Sequence, residues 1–137
     1  MKPLRKRKVT RVLDLDRACI IREGGREYCI YPLDDLMAIL GKKWALFIIA
    51  VLGNDSTTRF NDLLRQLKGI SPRTLTDRLK ELTSLGLVRR TIFPEVPLRV
   101  EYTLTKDGRR MREALIPFLE WSISFEEART SALEPTT

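Results

Sequence analysis

Between Arg59 and Gly86 the sequence sets two helical patterns almost end to end, with only Lys68-Gly69-Ile70 to turn in. In the first, Arg59–Leu67, the apolar residues Phe60, Leu63, Leu64 and Leu67 recur at i, i+3, i+4 and i+7, the buried stripe of an amphipathic helix. Thr57 or Thr58 is its expected N-cap. The second opens with Ser71 as N-cap and Pro72 at the first helical position, a strong start signal. Leu75, Leu79 and Leu82 make its core face, and Gly86 closes it in the left-handed cap position. Two short helices joined by a glycine-containing turn read as a helix-turn-helix.

The flanking segments complete the fold. Leu87–Phe93 and Leu98–Leu104 are β-prone runs separated by Pro94-Glu95-Val96-Pro97, which predicts a hairpin with a proline-flanked tip, the wing of a winged helix. Thr105 caps a long helix with Met111, Leu115, Phe118, Ser122 and Phe125 on one face and Trp121 beside it. Pro117 is expected to kink or break that helix, because it removes a backbone hydrogen bond. Upstream, Pro32–Leu52 carries apolar residues at helical spacing, and Gly41-Lys42-Lys43 either interrupts it or opens a second segment. Trp44–Leu52 is apolar on almost every side, as a buried helix is. Two short runs around Gly24-Gly25 predict a hairpin over 18–31 in which Glu23 faces Arg26, Arg22 faces Glu27, Ile20 faces Cys29 and Cys19 faces Ile30. Cys19 and Cys29 then lie on opposite sides of the ribbon, which disfavours a disulfide between them.

The fold class is therefore α+β, mostly α: a winged helix-turn-helix domain with an N-terminal β-hairpin and a long C-terminal helix. Residues 1–11 read as a basic, disordered tail, 12–31 as the hairpin appendage, 32–125 as the domain and 126–137 as a flexible tail.

Charge narrows the partner. The formal net charge is +7, concentrated in residues 1–11 (six bases, no acid) and in Arg59–Arg110 (twelve bases, six acids). That asymmetry suits a polyanion: double-stranded DNA first, an anionic membrane face second. No apolar run is long enough for a membrane span and the start lacks a signal-peptide core, so a cytoplasmic location is expected. The chain has no His, and its two cysteines stand at no metal-ligand spacing, so no metal or cofactor is expected. With no glycine-rich phosphate loop and no nucleophile-plus-base motif, an enzyme is not indicated.

A helix fits the DNA major groove, and the residues near its N-terminus reach base edges. On the second helix Arg73, Asp77, Lys80 and Ser84 point away from the leucine face, with Thr74 and Thr76 flanking them. Arg73, Thr74, Thr76 and Asp77 are the expected readers. Lys80, Ser71 at the helix N-terminus, and Arg89, Arg90 and Arg99 of the hairpin are the expected phosphate contacts, and Arg59 is a further expected DNA-binding residue. Arg78 lies partly under the helix, where a structural role competes with DNA contact.

The blocks Leu40-Gly-Lys-Lys-Trp44, Arg59-Phe-Asn-Asp-Leu63, Gly69-Ile-Ser-Pro-Arg-Thr-Leu75, Pro94-Glu-Val-Pro97, Val100-Glu-Tyr-Thr-Leu-Thr105 and Trp121 together resemble the HxlR family of winged-helix transcriptional regulators, related to the MarR type. The resemblance spans about residues 32–122. It implies a homodimer on a pseudo-palindromic operator, with Leu36, Leu40, Trp44, Met111, Leu115, Phe118, Trp121 and Phe125 at the interface, and it leaves room for a small-molecule effector. Some members sense oxidants through a cysteine directly before the first core helix. Cys29 is the candidate, although Ile30-Tyr31 separates it from Pro32, where the family pattern has proline next. The alternatives are thus a thiol-based redox regulator and a winged-helix module that binds protein rather than DNA. The 18–31 hairpin is not part of the usual family pattern.

Overall fold

The computed structural model describes residues 20–29 and 33–133. The basic start and the Cys19–Ile30 rung lie outside them. The chain forms two compact units, one ending at Gly41 and one beginning at Lys42. In the first, β1 (Ile20–Glu23) and β2 (Arg26–Cys29) pair antiparallel in the expected register. Gly24 and Gly25, at φ 57° and 74°, supply the two left-handed residues that a type I′ turn requires. Arg22 and Glu27 meet across the strands at 3.0 Å. Helix α1 (Asp34–Leu40) follows, with Asp34 and Asp35 in its first turn, where the helix dipole favours them. This helix ends at Leu40, one residue before the end of the first unit.

Near the start of the second unit Trp44 stands at φ 84°, an uncommon conformation for a bulky residue. Helix α2 (Ala45–Leu52) runs from there with Ala45, Ile48, Ile49 and Leu52 buried and Phe47 half exposed. A two-residue strand β3 (Thr58–Arg59) precedes helix α3 (Phe60–Gln66). This corrects the expected N-cap: Thr58 is in an extended strand opposite Tyr102, and Arg59 holds the cap position without a side-chain bond. A β-branched residue suits that third strand, although its hydroxyl is buried without a partner.

Helix α4 (Pro72–Ser84) starts and stops as the sequence requires. The Ser71 hydroxyl accepts from the Thr74 amide at 3.1 Å. At the other end Gly86, at φ 78°, lets the Gly86 and Leu87 amides reach the Thr83 and Leu82 carbonyls, each at 3.0 Å. Leu75, Leu79 and Leu82 are buried in the core together with Ile48, Ile49, Leu52, Leu63, Val88 and Leu104. The wing strands β4 (Val88–Phe93) and β5 (Arg99–Leu104) pair from Val88–Leu104 to Phe93–Arg99, and the sheet order is β3-β5-β4.

Helix α5 (Lys106–Leu133) is anchored by Thr105, whose hydroxyl donates to the Gly86 carbonyl at 2.6 Å and accepts from the Gly108 amide at 3.1 Å. The helix continues through Pro117 rather than breaking there, and residues 126–133 continue it where a flexible tail is expected; residues 134–137 lie outside the described residues. The lost bond at Pro117 is one among many in a long helix, and the 126–133 stretch carries an Arg129–Glu126 pair one turn apart at 3.0 Å.

Candidate nucleic-acid interface

The outward face of α4 is set by the leucines beneath it. With Leu75, Leu79 and Leu82 buried, Arg73, Asp77 and Lys80 are exposed, and Thr74 and Thr76 are half-buried at the edges. Their hydroxyls are partly committed. Ser71 Oγ donates to Thr74 Oγ1 at 2.9 Å, and Thr76 Oγ1 donates to the Pro72 carbonyl at 2.9 Å. Thr76 therefore offers a methyl group and oxygen lone pairs rather than a free donor, which fits contact with a thymine methyl. Arg78 is used inside the unit: it pairs with Glu81, whose carboxylate also takes Lys42 Nζ at 3.0 Å. Partial burial opposes ionisation of Glu81, but the hydrogen bond from Lys42 and the charge of Arg78 outweigh it and hold its pKa below the ordinary glutamate value.

The wing sorts its basic residues by strand alternation, since residues two apart share a face. Val88 and Arg90 lie opposite Leu104 and Tyr102, and this face turns toward α4. Arg89 is on the other face opposite Thr103, and Arg59 is there too, opposite Glu101. Arg99 is held within the wing. Its guanidinium lies 4.0 Å over the Phe93 ring and meets Glu95 at 3.3 Å and Glu101 at 3.6 Å. The ten basic and polar residues singled out in the sequence thus do not form one surface. Thr76, Lys80 and Arg90 line one cleft, Arg73 is exposed on α4 outside it, Arg59 and Arg89 sit across the sheet, and Arg99 faces its own acids.

Between α4 and the wing lies an open cleft of about 310 Å³, lined by Thr76, Leu79, Lys80, Thr83, Arg90 and Tyr102. Thr83 and Tyr102 were not among the sequence candidates. Thr83 was legible as the next step of the Thr76–Lys80 stripe, and Tyr102 as the cross-strand partner of Arg90.

The apolar stripe of α5 divides in two. Leu115 is buried and Met111 half-buried, so both serve the unit's own core. Beyond Pro117, Phe118, Trp121 and Phe125 are 52%, 59% and 52% exposed. The Trp121 ring stacks on Phe125 at 5.2 Å and lies 6.1 Å from Phe118. In the first unit Leu36 is half-buried and Leu40 buried; in the second Trp44 is half-buried, edge-on to Phe47. Cys29 is a free thiol, 5% exposed. Among the described residues no cluster of acidic or cysteine side chains could hold a metal, and no helix is long and apolar enough to cross a membrane.

Residues 39–130 match the family model described as HxlR-like helix-turn-helix. An uncharacterised HTH-type transcriptional regulator of Halalkalibacterium halodurans is 38% identical over 92 residues, which cover 67% of this chain and 81% of that protein. The crystal structure of a possible HxlR-family transcriptional factor from Thermoplasma volcanium superposes with a TM-score of 0.72 at 37% identity, covering 80% of this chain and 98% of the other. The oxidised form of the redox regulator HypR is similar at a TM-score of 0.62 and 32% identity, over 68% of this chain and 95% of that one.

Proposed function

Because the chain belongs to the HxlR-like helix-turn-helix family of transcriptional regulators, we propose that it binds a pseudo-palindromic operator as a homodimer, each α4 in a major groove. The observation that carries this reading is the outward face of α4, where Arg73 and Lys80 are exposed and neither is ion-paired among the described residues. A free guanidinium beside the N-capped helix start and a free ammonium further along the same face are what base edges and phosphates need. Arg73, one residue inside the helix, takes a guanine bidentately; Thr74, Thr76 and Asp77 read neighbouring bases. Ser71 and Lys80 hold backbone, and the wing follows the flanking groove. Two copies place their helices about one turn of DNA apart.

Selection of bound duplexes from random DNA, followed by titration of the winning site, tests this. Arg73→Ala is expected to cost about 1–3 kcal/mol and to relax preference at one position in each half-site. An Arg73→Ala protein that selects the wild-type sequence with wild-type affinity overturns the recognition face. Absence of any duplex binding at low salt favours a protein-binding module instead. A thiol-sensing reading through Cys29 draws on the likeness to HypR, but a reactive thiolate needs an accessible, electropositive setting, and this thiol is buried.

A further inference from the structure

Lys80 and Arg90 are the two charges that line the cleft between α4 and the wing, and no carboxylate lines it with them. Of the other cations on α4 and the wing, Arg78 is neutralised by Glu81 and Arg99 by Glu95 and Glu101, while Arg73 and Arg89 do not line the cleft. Lys80 and Arg90 have no ion pair among the described residues. Two like charges converging on one space repel unless an anion lies between them. The rest of the lining supplies little else to bind. Thr76 and Thr83 donate their hydroxyl hydrogens back to the Pro72 and Leu79 carbonyls, and Leu79 and the Tyr102 ring make a carbon floor. A cationic rim over a carbon floor is complementary to a phosphodiester whose sugar presents C–H groups.

We infer that Lys80 and Arg90 close from opposite walls of this cleft on a single DNA phosphate, with its deoxyribose against Leu79 and Tyr102. The inference rests on the DNA-binding reading above and assigns a function to the cleft itself. The shared phosphate bridges recognition helix and wing, so the position of the wing on DNA is fixed through α4 rather than through the wing tip, where Arg99 is already paired.

Salt dependence distinguishes one shared phosphate from two separate ones, because each neutralised phosphate contributes about 0.9 to the log–log slope of affinity against salt. The titration compares wild type, Lys80→Met, Arg90→Met and the double variant on the selected duplex. Each single variant is expected to weaken binding severalfold while its slope falls by well under half a unit, since one cation still neutralises the phosphate. The double variant should lose about 0.9 of slope, more than the two single losses together. Single losses of about 0.9 each, adding to about 1.8 in the double, would place the side chains on different phosphates and overturn the proposal. So would an unchanged slope in the double variant, while wild-type binding kept the DNA reading intact. A wild type without salt-dependent binding would remove that reading as well. Inorganic phosphate at fixed ionic strength completes the test: it should not displace DNA. Displacement from wild type but not from the double variant would make the cleft a small-anion site and sink the proposal.

Discussion

Arg99 lies over the Phe93 ring and pairs with two carboxylates, so its charge holds the wing together rather than waiting for a phosphate. Cation–π contact and partly exposed ion pairs are each worth up to about 1 kcal/mol. Arg99→Ala is therefore expected to lower unfolding stability by about 1 kcal/mol in urea denaturation and to leave the salt slope of DNA binding unchanged. A slope that drops by a full phosphate would return Arg99 to the interface. Strand alternation, readable in the sequence, separates Arg89 from Arg90; the engagement of Arg99 is not readable there, because an ion pair depends on where the chain returns. Glu81 gives a pH signature of the same kind. Its pKa is depressed in the folded protein, so its contribution is present above the ordinary glutamate value and is lost as pH falls through the lower folded value. Glu81→Gln should then be less stable than wild type near neutral pH, and the difference should shrink at acid pH. A difference that stays constant from neutral to strongly acid conditions would show that the Lys42–Glu81–Arg78 network does not act through charge.

Elements that carry complete start and stop signals are legible from the order of their residues alone. Helix α4 is the example: serine, proline and glycine each stand where backbone geometry needs them, and the observed boundaries follow. Elements defined by contact are not legible in that way. Strand β3 is two residues long and exists only because β5 lies beside it, and nothing local distinguishes such a threonine from an N-cap. The same holds for the junction of α5 with the wing. A Cβ on Gly108 would lie far inside van der Waals contact distance of the Leu87 carbonyl oxygen, a backbone atom that itself accepts from the Thr105 amide at 3.0 Å. Helix propensity alone favours alanine over glycine at a helical position by about 1 kcal/mol. The overlap reverses that sign: Gly108→Ala is expected to destabilise by about 1–3 kcal/mol, the range for forced overpacking. A thermal melt in which Gly108→Ala is the more stable protein would mean that α5 can move off Leu87 freely.

At the scale of the whole molecule, the division of the α5 stripe argues for assembly. Leu115 already meets the core of its own unit, whereas Phe118, Trp121 and Phe125 present three aromatic rings, each at least half exposed, along one helix. Clustered exposed aromatics mark an interaction surface, and aromatic anchors dominate the energetics of such interfaces. A two-fold pairing of these helices would bury the rings and set two α4 helices on one face of DNA, so dimerisation and operator affinity should fall together. Trp121→Glu puts a charge where the rings would be desolvated, and a loss of at least about 2 kcal/mol raises the dimer dissociation constant some thirtyfold. Sedimentation should then find monomer at concentrations where the wild type is dimeric. Trp121 is exposed and far along the helix from Gly108, so melting of the monomer's helix-turn-helix core should be little altered. Binding to the full operator should drop toward that of an isolated half-site, while Arg73-dependent preference within the half-site survives. A Trp121→Glu protein that remains dimeric and binds the full operator as the wild type does would show that this stripe is not the dimer surface.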